Sequence, residues 1–378
     1  MATTLISRVT TGSDRRAFLS YPYRLYREDR HWIAPLRLDT KRILNPKKNA
    51  FFEHGDIQLF VARDSSRTIV GRIAAIINGM HLKKYNDGVG FFGFFECEDD
   101  TEVAKQLIDE ASAWLVDHGL KTVRGPANPS LNDTSGLLVD GFHRSPAILM
   151  PYNKPYYERL FADCGLERVM TMWSYHLVER DADMERLERG AKLVLARNPM
   201  LSVRIFDMSD FENDMQTMLA IFNDAWSDNW GHVPMTDGEI RQIAAEMKMI
   251  IRPELINFVE DDGVPVGFSA SIPNLNYTLS TIRNGRLFPT GALKLFFALK
   301  LNLIKEIRMP LMGVKKSHQG RGIDALLVAD IVKRGLAIGI QGCEMSWVLD
   351  DNERLKNFLV GIGGVKENEY ALFEKGLT

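Results

Sequence analysis

The stretch "KKSHQGRGIDALL", residues 315 to 327, sets two glycines among basic residues and ahead of an apolar run with helical spacing. Backbone amides at such a turn point outward and carry the positive end of the following helix dipole, the chemistry of a diphosphate seat. Glycine is needed where backbone must approach an oxyanion closely and take positive φ. Lys315, Lys316, His318 and Arg321 crowd around Gly320 and Gly322 and add positive charge. Asp324 follows Ile323 in what would be the first helical turn. A carboxylate there favours the dipole by about 0.3–1 kcal/mol. It either folds back on the amides and competes with an anion, or points outward, where Arg321 or Lys315 neutralises it. A solvated left-handed turn with a basic rim is the bland alternative to an anion site.

Groups able to move protons are sparser. His232 in "DNWGHVP" could take a proton from an ammonium near neutral pH, or be a loop histidine with no task. Asn229 and Trp230 beside it suit either a substrate loop or an aromatic lid on the core. Asp350 and Asp351, closing "SWVLDD", could act through a water or cap the next helix. No GxSxG elbow, HExxH or Walker lysine occurs, and the eight histidines lack ligand spacing, so no metal site is expected.

These residues must be held in place, and the chain supplies the frame twice. "TLISRV" reads as a strand and "SDRRAFLSYPYRLYRED" as a helix capped at Ser13, followed by "DRHWIAP" with Trp32 and Pro35. Near residue 200, "LSVRIF", "SDFENDMQTMLAIFNDAW" capped at Ser209, and "DNWGHVP" repeat the series. "IQLFVARDSSRTIVGRIAAIIN" and "LINFVEDDGVPVGFSASIP" both read as hairpins, with Val70-Gly71 and Val266-Gly267 in matching places. A third strand, a helix, a strand, a short helix and a last strand follow in each half. The charged "ERDADMERLERGAKLVLAR" reads as a linking helix, so the halves are 1–185 and 186–378. The fold class is α/β: two tandem units, each a mostly antiparallel twisted sheet flanked by helices.

That order, with a glycine-rich turn between the fourth strand and its helix, resembles the GNAT superfamily of acyl-CoA-dependent N-acyltransferases. "GVKKSHQGRGIDALL" carries the resemblance to its acyl-CoA motif, and "WVLDDNERLKNFLVGIGG" to the strand and helix beside the pantetheine arm. "FFGFFECEDD", "NWGHVPMT" and "GCEMSWVLDDN" are similar to a bacterial family of tandem GNAT-like proteins, to which the GNAT-like ceramide synthases of sphingolipid-making bacteria are similar too. The resemblance implies direct transfer from acetyl-CoA or a longer acyl-CoA to a primary amine, with Gly313, Val314, Lys315, Gln319, Gly320, Arg321, Gly322, Ile323 and Asn352 holding the CoA. It also implies a tyrosine acid after the fifth strand; that position is Leu359, and the nearest later tyrosine is Tyr370, on the last strand. The first half has "FFECEDDTEVAK" at the corresponding turn, with Glu96, Glu98, Asp99 and Asp100 and no glycine, and is expected to be a degenerate scaffold. A catalytically silent acyl-CoA-binding or scaffolding protein is the competing reading.

Between the third and fourth strands of the second half lies "GALKLFFALKLNLIKEI", apolar almost all round. Such a helix either packs between elements or faces lipid, with Lys294, Lys300 and Lys305 suiting anionic headgroups, so 291–305 is a candidate peripheral membrane contact. The acceptor is then a small-molecule or lipid amine. The 378 residues are 45% hydrophobic and 25% charged, with a net charge of −2 that predicts no nucleic-acid partner. Cys97, Cys164 and Cys343 form no framework and suit a reducing cytoplasm. Neither a signal peptide nor a spanning segment is read, so the expected location is cytoplasmic, with the inner membrane as a peripheral contact.

Overall fold

The computed structural model describes residues 4–377. Its main elements in chain order are β1 (Leu5–Arg8), α1 (Gly12–Leu25), β2 (Gly55–Arg63), β3 (Ile69–Asn78), β4 (Val89–Cys97), α2 (Thr101–Asp117), β5 (Thr122–Gly125), β6 (Leu137–Asp140), α3 (Tyr157–Asp163) and β7 (Glu167–Val178). The second half continues with α4 (Met184–Arg197), β8 (Leu201–Ile205), α5 (Phe211–Trp226), β9 (Ile256–Asp261), β10 (Val264–Pro273), α6 (Thr290–Lys300) and β11 (Glu306–Val314). It closes with α7 (Ile323–Ala337), β12 (Gly342–Leu349), α8 (Glu353–Gly361) and β13 (Val365–Gly376). Short helices at Arg37–Ile43, Gly79–Tyr85 and Asp237–Met247 were not read from the sequence. Two caps also differ. Thr11 caps α1 through its side chain, and Asp210 precedes α5, with Ser209 in a preceding turn held by Asp207.

The chain packs as two compact units. One comprises residues 1–172, 278–295 and 368–378; the other comprises 173–277 and 296–367. In the first, β1 to β4 form an antiparallel meander, β5 joins β4 in parallel, and β13 pairs antiparallel with both β5 and β6. In the second, β8 to β11 are antiparallel, β12 joins β11 in parallel, and the later part of β7 lies beside β12. Each unit therefore takes in part of the strand that ends the other half of the chain.

The repeated Val-Gly pairs have a packing cause. A Cβ on Gly71 would come within 2.6 Å of Leu107 on α2, and one on Gly267 within 2.8 Å of Ile323 on α7. Glycine lets the helix lie directly on the strand. Around α2 the core gathers Phe60, Ile73, Phe92, Leu107 and Ile108 on one face of the sheet, and Phe18 of α1 belongs to the core on the other. Around α7 the second unit repeats this with Val259, Val266, Leu326 and Leu327, opposite Phe211, Phe222, Phe258 and Phe268.

Candidate active site

β11 and β12 pair from Glu306↔Gly342 to Met309↔Met345, where their ladder ends. Both strands run on, to Val314 and Leu349. Beyond Met309 and Met345 the two parallel strands no longer pair with each other, the kind of place at which α/β sheets bind small molecules. Gly313 sits on this stretch because α5 packs on it: a Cβ there would meet Phe268 at 3.1 Å and Ala225 at 3.2 Å. Trp226 at the end of α5 donates its indole N–H to Met312 O at 3.0 Å.

Past Val314 the chain enters the glycine turn. Gly320 and Gly322 both have φ of +81°, and a Cβ on Gly320 would meet nothing within 4 Å. α7 starts with Gly322 at its N-cap and no side-chain cap, and its first bond into the turn is Leu326 N–H to Gly322 O at 3.2 Å. Among the described residues, no protein acceptor meets the N–H groups of Gly320, Arg321, Gly322, Ile323 or Asp324. Five consecutive amides at a positive helix end fit a diphosphate.

Asp324 does not occupy them. Its carboxylate pairs with Arg354 of α8 at 3.1 Å, an ion that the sequence reading did not single out. Arg321, one of the two neutralisers expected, is engaged elsewhere: it donates to Asp261 at 2.7 Å and to Asn198 at 3.0 Å. His318 also meets Asp261, at 3.3 Å, and Lys316 pairs with Asp228 at 2.5 Å. The Arg321 hydrogen bond, helped by His318, holds the Asp261 carboxyl below the usual range. Lys315 has no ion pair among the described residues. The rim is less basic than the sequence suggests, because three of its four basic residues already face carboxylates.

The corresponding helix of the first unit shows the opposite arrangement. Asp100 caps α2 by accepting from Glu102 N–H at 2.9 Å and Val103 N–H at 3.2 Å. Its anion seat is filled by its own side chain. Behind it the Glu96 side chain is 13% exposed, with Arg72 at 3.6 Å and hydrogen bonds from Tyr26 at 2.7 Å and Tyr157 at 2.8 Å. Burial raises the Glu96 carboxyl despite these partners.

The remaining candidates are dispersed. His232 is buried, edge-on to Phe222 at 5.4 Å, in a tight turn where its backbone N–H donates to Asn229 O. Trp230 is half-buried in the same loop. Asn352 caps α8, accepting from Leu355 N–H at 3.1 Å. Asp350 accepts from the Trp173 indole at 2.7 Å and from Lys356 at 3.3 Å, and these bonds hold its carboxyl below the usual range. Tyr370 is fully buried in the first unit, and its hydroxyl accepts from Asn368 Nδ2 at 3.0 Å.

One polar network was missed. Arg308, buried on β11, donates to Ser346 Oγ at 2.9 Å and Ser346 O at 3.2 Å, and Ser346 Oγ donates to Glu344 at 2.8 Å. It stands where the ladder ends. Its signal was present: Glu344 and Ser346 are two apart, hence on one face of an otherwise apolar strand.

α6 buries Gly291 and Ala298, half-buries Leu295 and Leu299, and exposes Leu293, Phe296 and Phe297. Phe288, Leu293, Phe296, Phe297, Leu301 and Leu303, on it and its flanks, are between 51% and 68% exposed. Lys300 lies 5.5 Å from the Phe296 ring, and Lys294 donates to Thr281. Among the described residues, no helix is long and apolar enough to cross a membrane.

Three comparisons bear on this arrangement. No family model matches the chain. Among solved structures, a tandem GNAT protein from the clavulanic acid biosynthesis pathway superposes over 100% of this chain and 99% of its own, with a TM-score of 0.58 at 10% identity. A GCN5-related N-acetyltransferase from Sphaerobacter thermophilus covers 99% of this chain and 96% of its own, with a TM-score of 0.54 at 11% identity. These show the tandem GNAT fold, and a curated relative named for a synthase of an amide lipid adds the acyltransferase class. The curated relatives narrow it further. "Bacterial ceramide synthase" of Caulobacter vibrioides (strain NA1000 / CB15N) is 35% identical over 98% of this chain and 96% of its own. "Protein YghO" of Escherichia coli (strain K12) is 32% identical over 98% and 95%. The chain belongs to the family of these two proteins.

Proposed function

We propose that this acyltransferase moves an acyl group from an acyl-CoA thioester directly to the primary amine of a long-chain lipid. The observation that carries the proposal is the run of five amides without acceptors at Gly320–Asp324, with Asp324 drawn away by Arg354. The CoA diphosphate is assigned to those amides, with Gln319 and Lys315 at the rim and Gly313 and Val314 on the strand beside the pantetheine arm. The lipid acceptor is supported by the exposed apolar face of α6 and by a relative named for ceramide, an amide of a fatty acid and a long-chain amino alcohol. α6 and its flanks are assigned to the surface of an anionic bilayer, where apolar side chains enter the headgroup boundary and Lys294, Lys300 and Lys305 meet the phosphates.

In the reaction the neutral amine nitrogen bonds to the thioester carbonyl carbon, the C–S bond breaks, and the surplus N–H proton ends, directly or through solvent, on the departing thiolate. The amine must first lose its ammonium proton, for which His232 is the candidate acceptor. Asp350, held as a carboxylate by Trp173, is a weak base and is assigned no proton transfer. The departing thiolate is tolerable without a dedicated acid, since a thiol of this kind titrates at about 8.5. Arg308 with Ser346 and Glu344 is assigned to positioning β12 against the open end of the ladder.

Calorimetric titration with acetyl-CoA and with palmitoyl-CoA below its micelle concentration tests the donor. Incubation of the tighter-binding thioester with a long-chain amino alcohol, with the amide read by mass spectrometry, tests the transfer. Palmitoyl-CoA is expected to bind more tightly and yield the amide. Failure of both thioesters to bind overturns the assignment of the turn.

A further inference from the structure

α1 and the short helix Arg37–Ile43, both in the first unit, enclose a cavity of about 500 Å³. Its walls include Arg15, Arg16, Arg37 and Lys41 with the hydroxyls of Ser20 and Thr40, and no aspartate or glutamate lines it. The convergence follows from sequence spacing. Arg16 and Ser20 are four apart on one helix, and Arg37 and Lys41 are four apart on the other, so each pair shares a face.

Like charges brought together repel unless an anion joins them. Here the two half-buried guanidiniums are held by neutral groups. Arg37 donates to Asn284 O at 2.8 Å and lies 3.8 Å over the Tyr23 ring, and Arg15 donates to Leu44 O. Their directions are fixed while their charge stays uncompensated. Arg16 and Lys41 are exposed and make no ion pair among the described residues. The nearby acids are not available: Asp14 is committed to Arg63 at 2.8 Å and to Thr11, and Asp39, on the second helix, does not line the cavity.

We propose that this cleft is a second anion site, binding the phosphomonoester of a small molecule or of a lipid headgroup. Guanidinium forks match phosphate oxygens bidentately, and a phosphate dianion offsets the repulsion among four cations. The cavity falls within the roughly 300–1,000 Å³ range of small-molecule sites, larger than a lone phosphate needs. Tyr23 supplies a wall for the group that carries it. None of the glycine-turn residues takes part, so the inference stands apart from the acyl-CoA reading.

The test is a titration of glycerol phosphate into the full chain with 3′-dephospho-CoA in excess, which offers the glycine turn a diphosphate and carries no phosphomonoester. Wild type is expected to bind at one saturable site. The double variant Arg16→Glu, Lys41→Glu is expected to bind at least tenfold more weakly, with the unfolding midpoint and CoA titration unchanged. Vesicles of phosphatidylcholine containing phosphatidic acid separate the two sources. Displacement of glycerol phosphate by them, and not by phosphatidylcholine alone, identifies a headgroup; absence of displacement with glycerol phosphate still bound identifies a soluble ester. No saturable binding by wild type, or equal affinity in the double variant, overturns the site.

Discussion

Asp324 and Asp100 stand at corresponding helix starts and do opposite things. Asp100 accepts two amides of its own helix, whereas Asp324 reaches Arg354. If Arg354 is what keeps the second seat open, Arg354→Ala should let Asp324 swing towards the amides. CoA affinity should then fall about two- to fivefold, the size of a helix-end charge effect of about 0.3–1 kcal/mol. Adding Asp324→Asn should restore it; calorimetry on the three proteins decides. The proton acceptor is argued at the same scale. His232→Ala should lower turnover by about 100-fold if the imidazole takes the ammonium proton. Asp350 has its carboxyl held low by Trp173, so Asp350→Asn should leave the shape of the pH–rate profile unchanged from about pH 6 to 9. A limb lost from that profile would reinstate Asp350. A Cβ on Gly322 strikes Val194 at 2.7 Å and one on Gly320 meets open space, but both glycines sit at φ of +81°, so a side chain at either strains the backbone.

At the level of elements, the caps make the contrast between the units measurable. Asp100→Ala should destabilise the protein by about 1 kcal/mol, the usual cost of removing a helix cap. Chemical denaturation reads this, and CoA binding should not change. The turn carries a pH signature through Asp261. Its folded carboxyl titrates lower than in the unfolded chain, so its stabilising effect is present above the ordinary aspartate value and lost as pH falls through the folded one. Asp261→Asn should therefore cost stability at neutral pH, with the gap closing on acidification below about pH 4. Much of this level was legible. Alternation, Val-Gly pairs and the glycine turn located the strands and α7 because each is a local signal. The partner of Asp324 was not legible, because Arg354 lies thirty residues on and meets it only through the packing of α8. The fate of Arg321 was hidden for the same reason: Asp261 and Asn198 come from separate elements. Tyr370 was placed on the right strand, but nothing local announces that its hydroxyl is buried against Asn368.

For the whole molecule, the sequence repeat and the compact units answer different questions. The repeat marks where the chain begins its second copy of the frame, near residue 185. Packing instead gives each unit a strand from the other copy, a long-range pairing to which no periodicity points. β13 brings Tyr370, Ala371, Leu372 and Phe373 into the first unit, each no more than 2% exposed. Large apolar core residues contribute about 3–5 kcal/mol each when truncated, so loss of the strand exceeds the usual stability of a domain. A fragment of residues 1–185 would also expose β5 as an open edge ready to pair with another chain. Such a fragment made alone should aggregate or unfold without a cooperative transition. Co-expressed with residues 186–378, it should be recovered as a complex whose circular dichroism and melting resemble those of the intact chain. A monomeric 1–185 fragment melting cooperatively near the intact protein's midpoint would show that β13 is dispensable, and with it the exchange of strands as the source of the first unit's stability.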